Sequence, residues 1–356
     1  MKDRITYREQ TDQENILRLR EVLSGMPSFV RDYFRAIDAR STTRTRISYA
    51  YDLRIFFEFL KAQNPLYKEQ ELRDFTLEDL NLLTARDLEE YMEYLKLYDA
   101  PENGHGSSGR YSNGLSGIKR KLSSLRSLFT YLYKNEMITV NPTALIDMPK
   151  IREKNIIRLD PDETAILLDY VENCGQVLTG RALSYYRKTR ERDIALLTLL
   201  LGTGIRVSEC VGLDLEDLDF RNNGIRIVRK GGNESMIFFG EEVEQALKNY
   251  LEARKGVRAC PGHEHALFYS TQRKRLTVKA VENLVEKYAS AVTIKHITPH
   301  KLRSTYGTTL YKETGDIYLV ADVLGHKDVN TTRRHYAAMD DERRRSAAKA
   351  VKLREK

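Results

Sequence analysis

The sequence predicts a mainly α-helical chain with one small antiparallel β-sheet, divided into two domains. Three observations carry this. Apolar residues recur at helical spacing along most of the chain, whereas the segment from Gly224 to Phe239 alternates on its first arm and holds a Lys230-Gly-Gly-Asn turn. Between the two halves, the stretch Met148–Pro161 has prolines near both ends and little periodicity, as a linker would. The 356 residues suffice for two domains with a sizeable core in each.

In chain order, Ser41–Lys61 places Ile47, Ala50, Phe57 and Leu60 on one side of a helix, with Arg40, Arg44, Arg46 and Arg54 nearby. Thr84-Ala-Arg-Asp87 reads as a capping box, and Leu88, Tyr91, Met92 and Leu95 follow at i, i+3, i+4 and i+7. Pro101–Gly117 carries five glycines and reads as a loop. Ile118, Leu122, Leu125, Phe129 and Leu132 mark a further helix, stopping before Asn141-Pro142, with Lys119, Arg120, Lys121 and Arg126 read as lying off the stripe. After the linker come a helix near Asp162–Glu172, the apolar helix Ile194–Leu201, the hairpin, and a short strand at Ala266–Ser270. Val243, Leu247, Tyr250 and Leu251 mark one later helix, Val278, Val281, Val285, Tyr288 and Val292 another, and Ile317, Val320, Ala321 and Leu324 the last.

Lys plus Arg number 59 against 51 Asp plus Glu, a net charge of +8, which favours a polyanionic partner. Three scattered cysteines, Cys174, Cys210 and Cys260, make no disulfide framework and suit a reducing compartment. The first residues lack the apolar core of a signal peptide, and the longest apolar run, Ile194–Leu201, is far short of a bilayer span. A cytoplasmic protein with no membrane partner is expected.

Four segments carry residue types unusual in a core. Thr203-Gly-Ile-Arg206 puts an arginine after a glycine break, at the start of a helix that includes Glu209. Lys230 sits at the hairpin turn; His300 and Arg303 are three apart and share a helical face; Leu324-Gly-His326 ends a helix, and Tyr336 follows ten residues on. Two arginines, a lysine, two histidines and a tyrosine, with neither a carboxylate cluster nor metal-ligand spacing, suit phosphoryl transfer without metal. Arg206 and Arg303 would fork the non-bridging oxygens of a phosphodiester and stabilise its pentavalent transition state. Tyr336, with an ordinary pKa of about 10, needs a base or a nearby cation to attack. Attack would leave a 3′-phosphotyrosine, Lys230 would protonate the departing 5′-hydroxyl, and the conserved bond energy removes any need for a cofactor.

Arg206, Lys230, His300-x-x-Arg303, Leu-Gly-His326 and Tyr336 stand in the order of the tyrosine recombinase (phage integrase) family, which the chain resembles over roughly its whole length. Met26-Pro-Ser-Phe-Val-Arg-Asp-Tyr33, Lys188-x-Arg190-Glu-Arg-Asp193 and Arg229-Lys-Gly-Gly232 resemble segments of the XerS-type single recombinases of Gram-positive bacteria. The resemblance implies a C-shaped clamp around duplex DNA, with residues 1–25 an N-terminal extension, 26–147 a helical core-binding (SAM-like) domain, 148–161 the linker and 162–356 the mixed α/β catalytic domain. In that domain Arg206 and Arg303 would clamp the scissile phosphate. His300 would be general base or acid, Lys230 the general acid, His326 a phosphate hydrogen-bond donor and Tyr336 the nucleophile. Arg44, Arg46, Lys119, Arg120, Lys121 and Arg126 become candidate DNA contacts. The segment Asp340–Lys356 would dock on a neighbouring protomer through Ala347, Ala348, Val351 and Leu353. Four protomers would join two inverted-repeat sites through a Holliday junction, the XerS-like features pointing to a dif-type site for chromosome dimer resolution with an FtsK-type DNA translocase as partner. Two departures stand out: many relatives place the tyrosine one residue nearer the Leu-Gly-His motif, where this chain has His335, and many carry histidine where this chain has Ser304.

Each piece alone has a plainer reading. Arg206 would be a salt-bridge partner of Glu209, Lys230 a solvated hairpin tip, either histidine a satisfied structural residue, and Tyr336 one of 21 tyrosines. Cys260-Pro-Gly-His263-Glu-His265 lacks a fourth metal ligand and reads as a turn. The ordered set is what points to the site. Its rivals are a mobile-element integrase or transposase with the same chemistry, a non-catalytic DNA-binding protein of the same fold, and a type IB topoisomerase, against which the Leu-Gly-His motif and the domain layout argue.

Overall fold

The computed structural model describes residues 6–100, 109–151, 157–229, 232–326 and 329. The chain divides into two compact units, residues 1–153 and 154–356.

The first unit is built from helices α1 (Tyr7–Ser24), α2 (Ser28–Ala36), α3 (Thr43–Gln63), α4 (Leu77–Asn81), α5 (Ala85–Tyr94) and α6 (Leu115–Lys134), with strands β1 (Leu97–Ala100) and β2 (Gly109–Ser112) between the last two. The Thr84–Asp87 capping box forms as the sequence predicts: Thr84 Oγ1 accepts from the Asp87 amide at 3.4 Å, and Asp87 accepts from the Thr84 amide at 2.7 Å. The core is strongly aromatic. Phe56, Phe57, Tyr91 and Phe129 are buried from α3, α5 and α6, and Phe56 meets Tyr91 and Phe129 edge-on, the arrangement the ring quadrupoles favour.

Three expectations need correction here. The glycine-rich stretch is not all loop, because β2 pairs antiparallel with β1 and α6 already begins at Leu115. The short ladder gains support from Tyr98 stacked against Tyr94 and Tyr111. The N-terminal segment is more than an extension from Tyr7 onward, since α1 packs on α3 and sends Leu19 and Val22 into the common core. Lys121 is not on the outer face of α6. At i+3 from Ile118 it falls on the apolar stripe itself, is 5% exposed, and donates from Nζ to Asn113 Oδ1 at 2.9 Å.

The second unit comprises α7 (Pro161–Asn173), α8 (Gly180–Thr203), α9 (Val207–Gly212), a three-stranded antiparallel sheet of β3 (Leu218–Asp219), β4 (Gly224–Val228) and β5 (Glu234–Phe238), then α10 (Glu241–Arg254), α11 (Val278–Ala289), α12 (Pro299–Thr314) and α13 (Ile317–Leu324). The hairpin forms where alternation predicted it, with Ile225, Ile227 and Ile237 turned inward, and β3 adds a short edge. The predicted strand at Ala266–Ser270 does not form a ladder. Ala266–Tyr269 is buried, but makes only isolated bridges, Asp214 with Ala266 and Tyr269 with Arg275. α8 runs well past its apolar segment and packs against α7, α10 and α12. Midway along it, Asp193 accepts from Thr189 Oγ1 at 3.0 Å, from Tyr288 Oη at 2.9 Å and from the Arg192 guanidinium, which also reaches the Tyr269 carbonyl at 2.9 Å. All four side chains are buried, so the Lys188–Asp193 segment ties α8 to α11 by a satisfied polar network.

Candidate active site

Arg206 and Arg303 are brought to one place by a glycine and a helix end. Gly204 ends α8 in the left-handed region at φ 61°, its amide donating to the Leu200 carbonyl at 3.1 Å. A Cβ there would stand 2.5 Å from the Tyr306 ring, so glycine meets both the backbone and the space requirement. The turn puts Arg206 at the N-cap of α9, where Glu209 holds it twice: one carboxylate oxygen accepts from the Arg206 amide and the other from Nη1, both at 2.9 Å. The plain salt-bridge reading of Arg206 is thus part of the geometry, and it orients the guanidinium.

Arg303 lies one turn into α12, which Thr298 and Pro299 begin. It is 6% exposed and donates to the carbonyls of Gly204 and Leu324. His300, three residues earlier, is exposed.

The meeting point is the C-terminus of α13. Gly325 closes that helix at φ 61°, the His326 amide donating back to the Ala321 carbonyl at 2.9 Å. The outward carbonyls are each met by a guanidinium. Arg229 donates to Asp322 and Val323, both at 3.0 Å, Arg303 to Leu324, and Arg206 to Gly325 at 3.0 Å. The partial negative charge at a helix C-terminus favours three cations there and offsets their repulsion. A phosphodiester beside this helix end would meet paired, pre-oriented fork donors with His326 next in the chain.

Of the predicted site residues, Arg206, Arg303 and His326 are therefore gathered at one helix end, and His300 stands one turn from Arg303. Lys230 and Tyr336 lie outside the described residues, as does the segment Asp340–Lys356. Arg229 was not foreseen as part of the site. The available signal was an arginine directly beside Lys230 at a hairpin turn.

The candidate DNA contacts differ among themselves. Arg44 and Arg120 are exposed, Arg120 pairing with the buried Asp52, and Lys119 is half-buried. Arg46 pairs with Asp38, and Arg126 donates to the carbonyls of Thr143 at 2.8 Å and Ile146 at 3.1 Å. Burial pushes the Asp52 carboxyl up to about 6 against the opposing pull of Arg120 and Lys121, and the same burial lowers the Lys121 ammonium. Around the Cys260–His265 turn, Cys260 Sγ donates to the Gln272 carbonyl and His265 pairs with Glu216. No three His, Cys, Asp or Glu side chains among the described residues could hold a metal ion, and no described helix is long and apolar enough to cross a membrane.

Residues 158–343, more than half of the chain, match the Phage integrase family. The chain is 31% identical over 366 residues to the tyrosine recombinase XerS of Lactococcus lactis subsp. lactis (strain IL1403), covering 95% of this chain and 98% of that one. Among solved structures, its fold resembles the XerH site-specific recombinase bound to palindromic difH substrate, with TM-score 0.62, 22% identity, and coverage of 95% of this chain and 88% of that one. It also resembles the Tn1549 transposon integrase in complex with circular intermediate DNA, with TM-score 0.61, 21% identity, and coverage of 87% and 95%. The chain belongs to the phage integrase family of tyrosine recombinases, site-specific enzymes that break and rejoin DNA strands.

Proposed function

We propose that this recombinase acts in the bacterial cytoplasm at a short inverted-repeat site of the dif type, resolving chromosome dimers. The observation that carries the reading is the convergence of Arg206 and Arg303 on the carbonyls directly ahead of His326. Similarity to XerS along nearly the whole chain supports the biological role.

In the proposed reaction Arg206 and Arg303 grip the non-bridging oxygens of the scissile phosphate, and His326 donates a further hydrogen bond. The Tyr336 phenol gives its proton to His300 and its oxygen bonds to phosphorus. The bond from phosphorus to the 5′-oxygen breaks, and that oxygen takes a proton from the Lys230 ammonium. The 3′-phosphotyrosine keeps the bond energy until the 5′-hydroxyl of the partner strand reverses the step and joins the strands. Two such exchanges pass through a Holliday junction within a tetramer on two sites, with a C-terminal helix at Asp340–Lys356 coupling protomers. The core-binding domain takes in α1 together with residues 26–147, and 162–356 form the catalytic one; Arg44, Lys119 and Arg120 contact DNA phosphates, and an FtsK-type translocase is the partner.

Integration of a mobile element is the second reading, with the same residues and chemistry. Sequencing DNA covalently trapped on the protein in cells separates the two. Adducts at one inverted-repeat locus near the replication terminus support dimer resolution, and adducts at an element end overturn it.

A further inference from the structure

We propose that Arg229 is a positioning residue for general-acid catalysis: it ties the hairpin loop that contains Lys230 to the end of α13, and so sets the reach of Lys230 relative to His326 and the two phosphate-clamping arginines. The inference rests on the reading of Lys230 as the acid.

Three observations carry it. The loop is short and closed at its base, the Arg229 amide donating to the Asn233 carbonyl at 2.8 Å and the Gly232 amide to the Arg229 carbonyl at 3.1 Å. The Arg229 side chain leaves the sheet and forks across the carbonyls of Asp322 and Val323, 93 and 94 residues away, while its Nε is buried without a hydrogen-bond partner among the described residues. Two bonds from one rigid planar group fix both distance and direction. Finally, Gly325 leaves room for this guanidinium, since a Cβ there would stand 1.8 Å from Arg229 Nη1. The glycine of the Leu-Gly-His motif thus serves the hairpin as well as the helix end.

A positioning role for the acid differs from a merely structural one in its dependence on the leaving group. A 5′-bridging sulfur departs as a thiolate and needs no proton, whereas a 5′-bridging oxygen does. The test uses the full chain and nicked duplexes bearing the cleavage site recovered by adduct sequencing, with oxygen or sulfur at the scissile 5′ position. Single-turnover adduct formation is followed for wild type, Arg229→Ala, Arg229→Gln and Lys230→Ala. Both Arg229 variants are expected to be slowed about 10- to 100-fold on the oxygen ester, no more than the about 10²–10⁴ that the acid itself supplies, and to approach wild type on the sulfur ester, as Lys230→Ala does. Wild-type rates on both esters, or equal losses on both while Lys230→Ala is rescued, would overturn the inference. Thermal unfolding of the two variants shows whether an equal loss comes from misfolding, and the one that folds then decides. If Lys230→Ala itself is not rescued by sulfur, Lys230 is not the acid, and that reading falls before the inference built on it.

Discussion

Gly325→Ala probes the joint between the hairpin and α13. Its cost has two separable parts. Holding alanine at φ 61° costs about 1–2 kcal/mol for the left-handed backbone. The new methyl also collides with Arg229, 1.8 Å from Nη1 and 2.5 Å from Cζ, so the guanidinium must leave the Asp322 and Val323 carbonyls. Two lost hydrogen bonds at about 1 kcal/mol each add about 2 kcal/mol, for a total near 3–4 kcal/mol. In a unit of this size that lowers the melting temperature by roughly 2–4 °C per kcal/mol. Gly180→Ala is the control: φ is 55° there and nothing lies within 4 Å of a Cβ, so it carries the backbone part alone. Urea unfolding of both variants and of the Arg229→Ala, Gly325→Ala double variant measures the two parts. The account predicts that Gly325→Ala costs about 2 kcal/mol less when Arg229 is already alanine. A Gly325→Ala cost equal to that of Gly180→Ala, or strict additivity in the double variant, would refute the reasoning.

Glu209→Gln leaves one carboxamide oxygen where two carboxylate oxygens held Arg206. A charge-assisted bond worth about 1.5–3 kcal/mol translates into cleavage slowed about 10- to 100-fold with DNA binding intact, and unchanged cleavage in a single-turnover assay would count against the orienting role. Asp52, with its folded pKa raised to about 6, holds its proton more tightly folded than unfolded, so its contribution to stability falls as pH rises from about 4 to about 6 and is flat above. Asp52→Asn therefore removes that slope and leaves the protein at least as stable as wild type at pH 7.5, despite the lost ion pair with Arg120; denaturant unfolding across pH contradicts this if the variant is weaker there. In DNA titrations across salt, Lys119→Ala is expected to reduce the slope of log affinity against log salt by about 1. Lys121→Ala should leave that slope alone and lower stability, and the reverse pattern would return Lys121 to the DNA face.

How much of this was legible in the sequence depended on whether the cause was local. The capping box at Thr84, the alternation of Ile225 and Ile227 and the stripe of α6 are governed by neighbours within a turn or a strand, and each appears where it was read. The β1–β2 pair was hidden because its support is the stacking of Tyr98 on Tyr94 and Tyr111 across a glycine-rich stretch, which no periodicity announces. Lys121 is deceptive in sequence, since its charge suggests the surface whereas its position at i+3 from Ile118 places it on the buried stripe. The order of Arg206, His300, Arg303 and His326 is what points to the proposed chemistry. It does not reveal that a helix C-terminus gathers these side chains, because a guanidinium capping a carbonyl 119 residues away leaves no trace in spacing. Arg229 was missed for the same reason.

Tyr336 as nucleophile is the central claim, and trapping the protein–DNA adduct on nicked duplex tests it most directly. Wild type should form a covalent adduct that protease reduces to a peptide containing Tyr336 linked to a 3′-phosphate, and Tyr336→Phe should bind the same duplex without forming any. An adduct that persists in Tyr336→Phe would contradict the account.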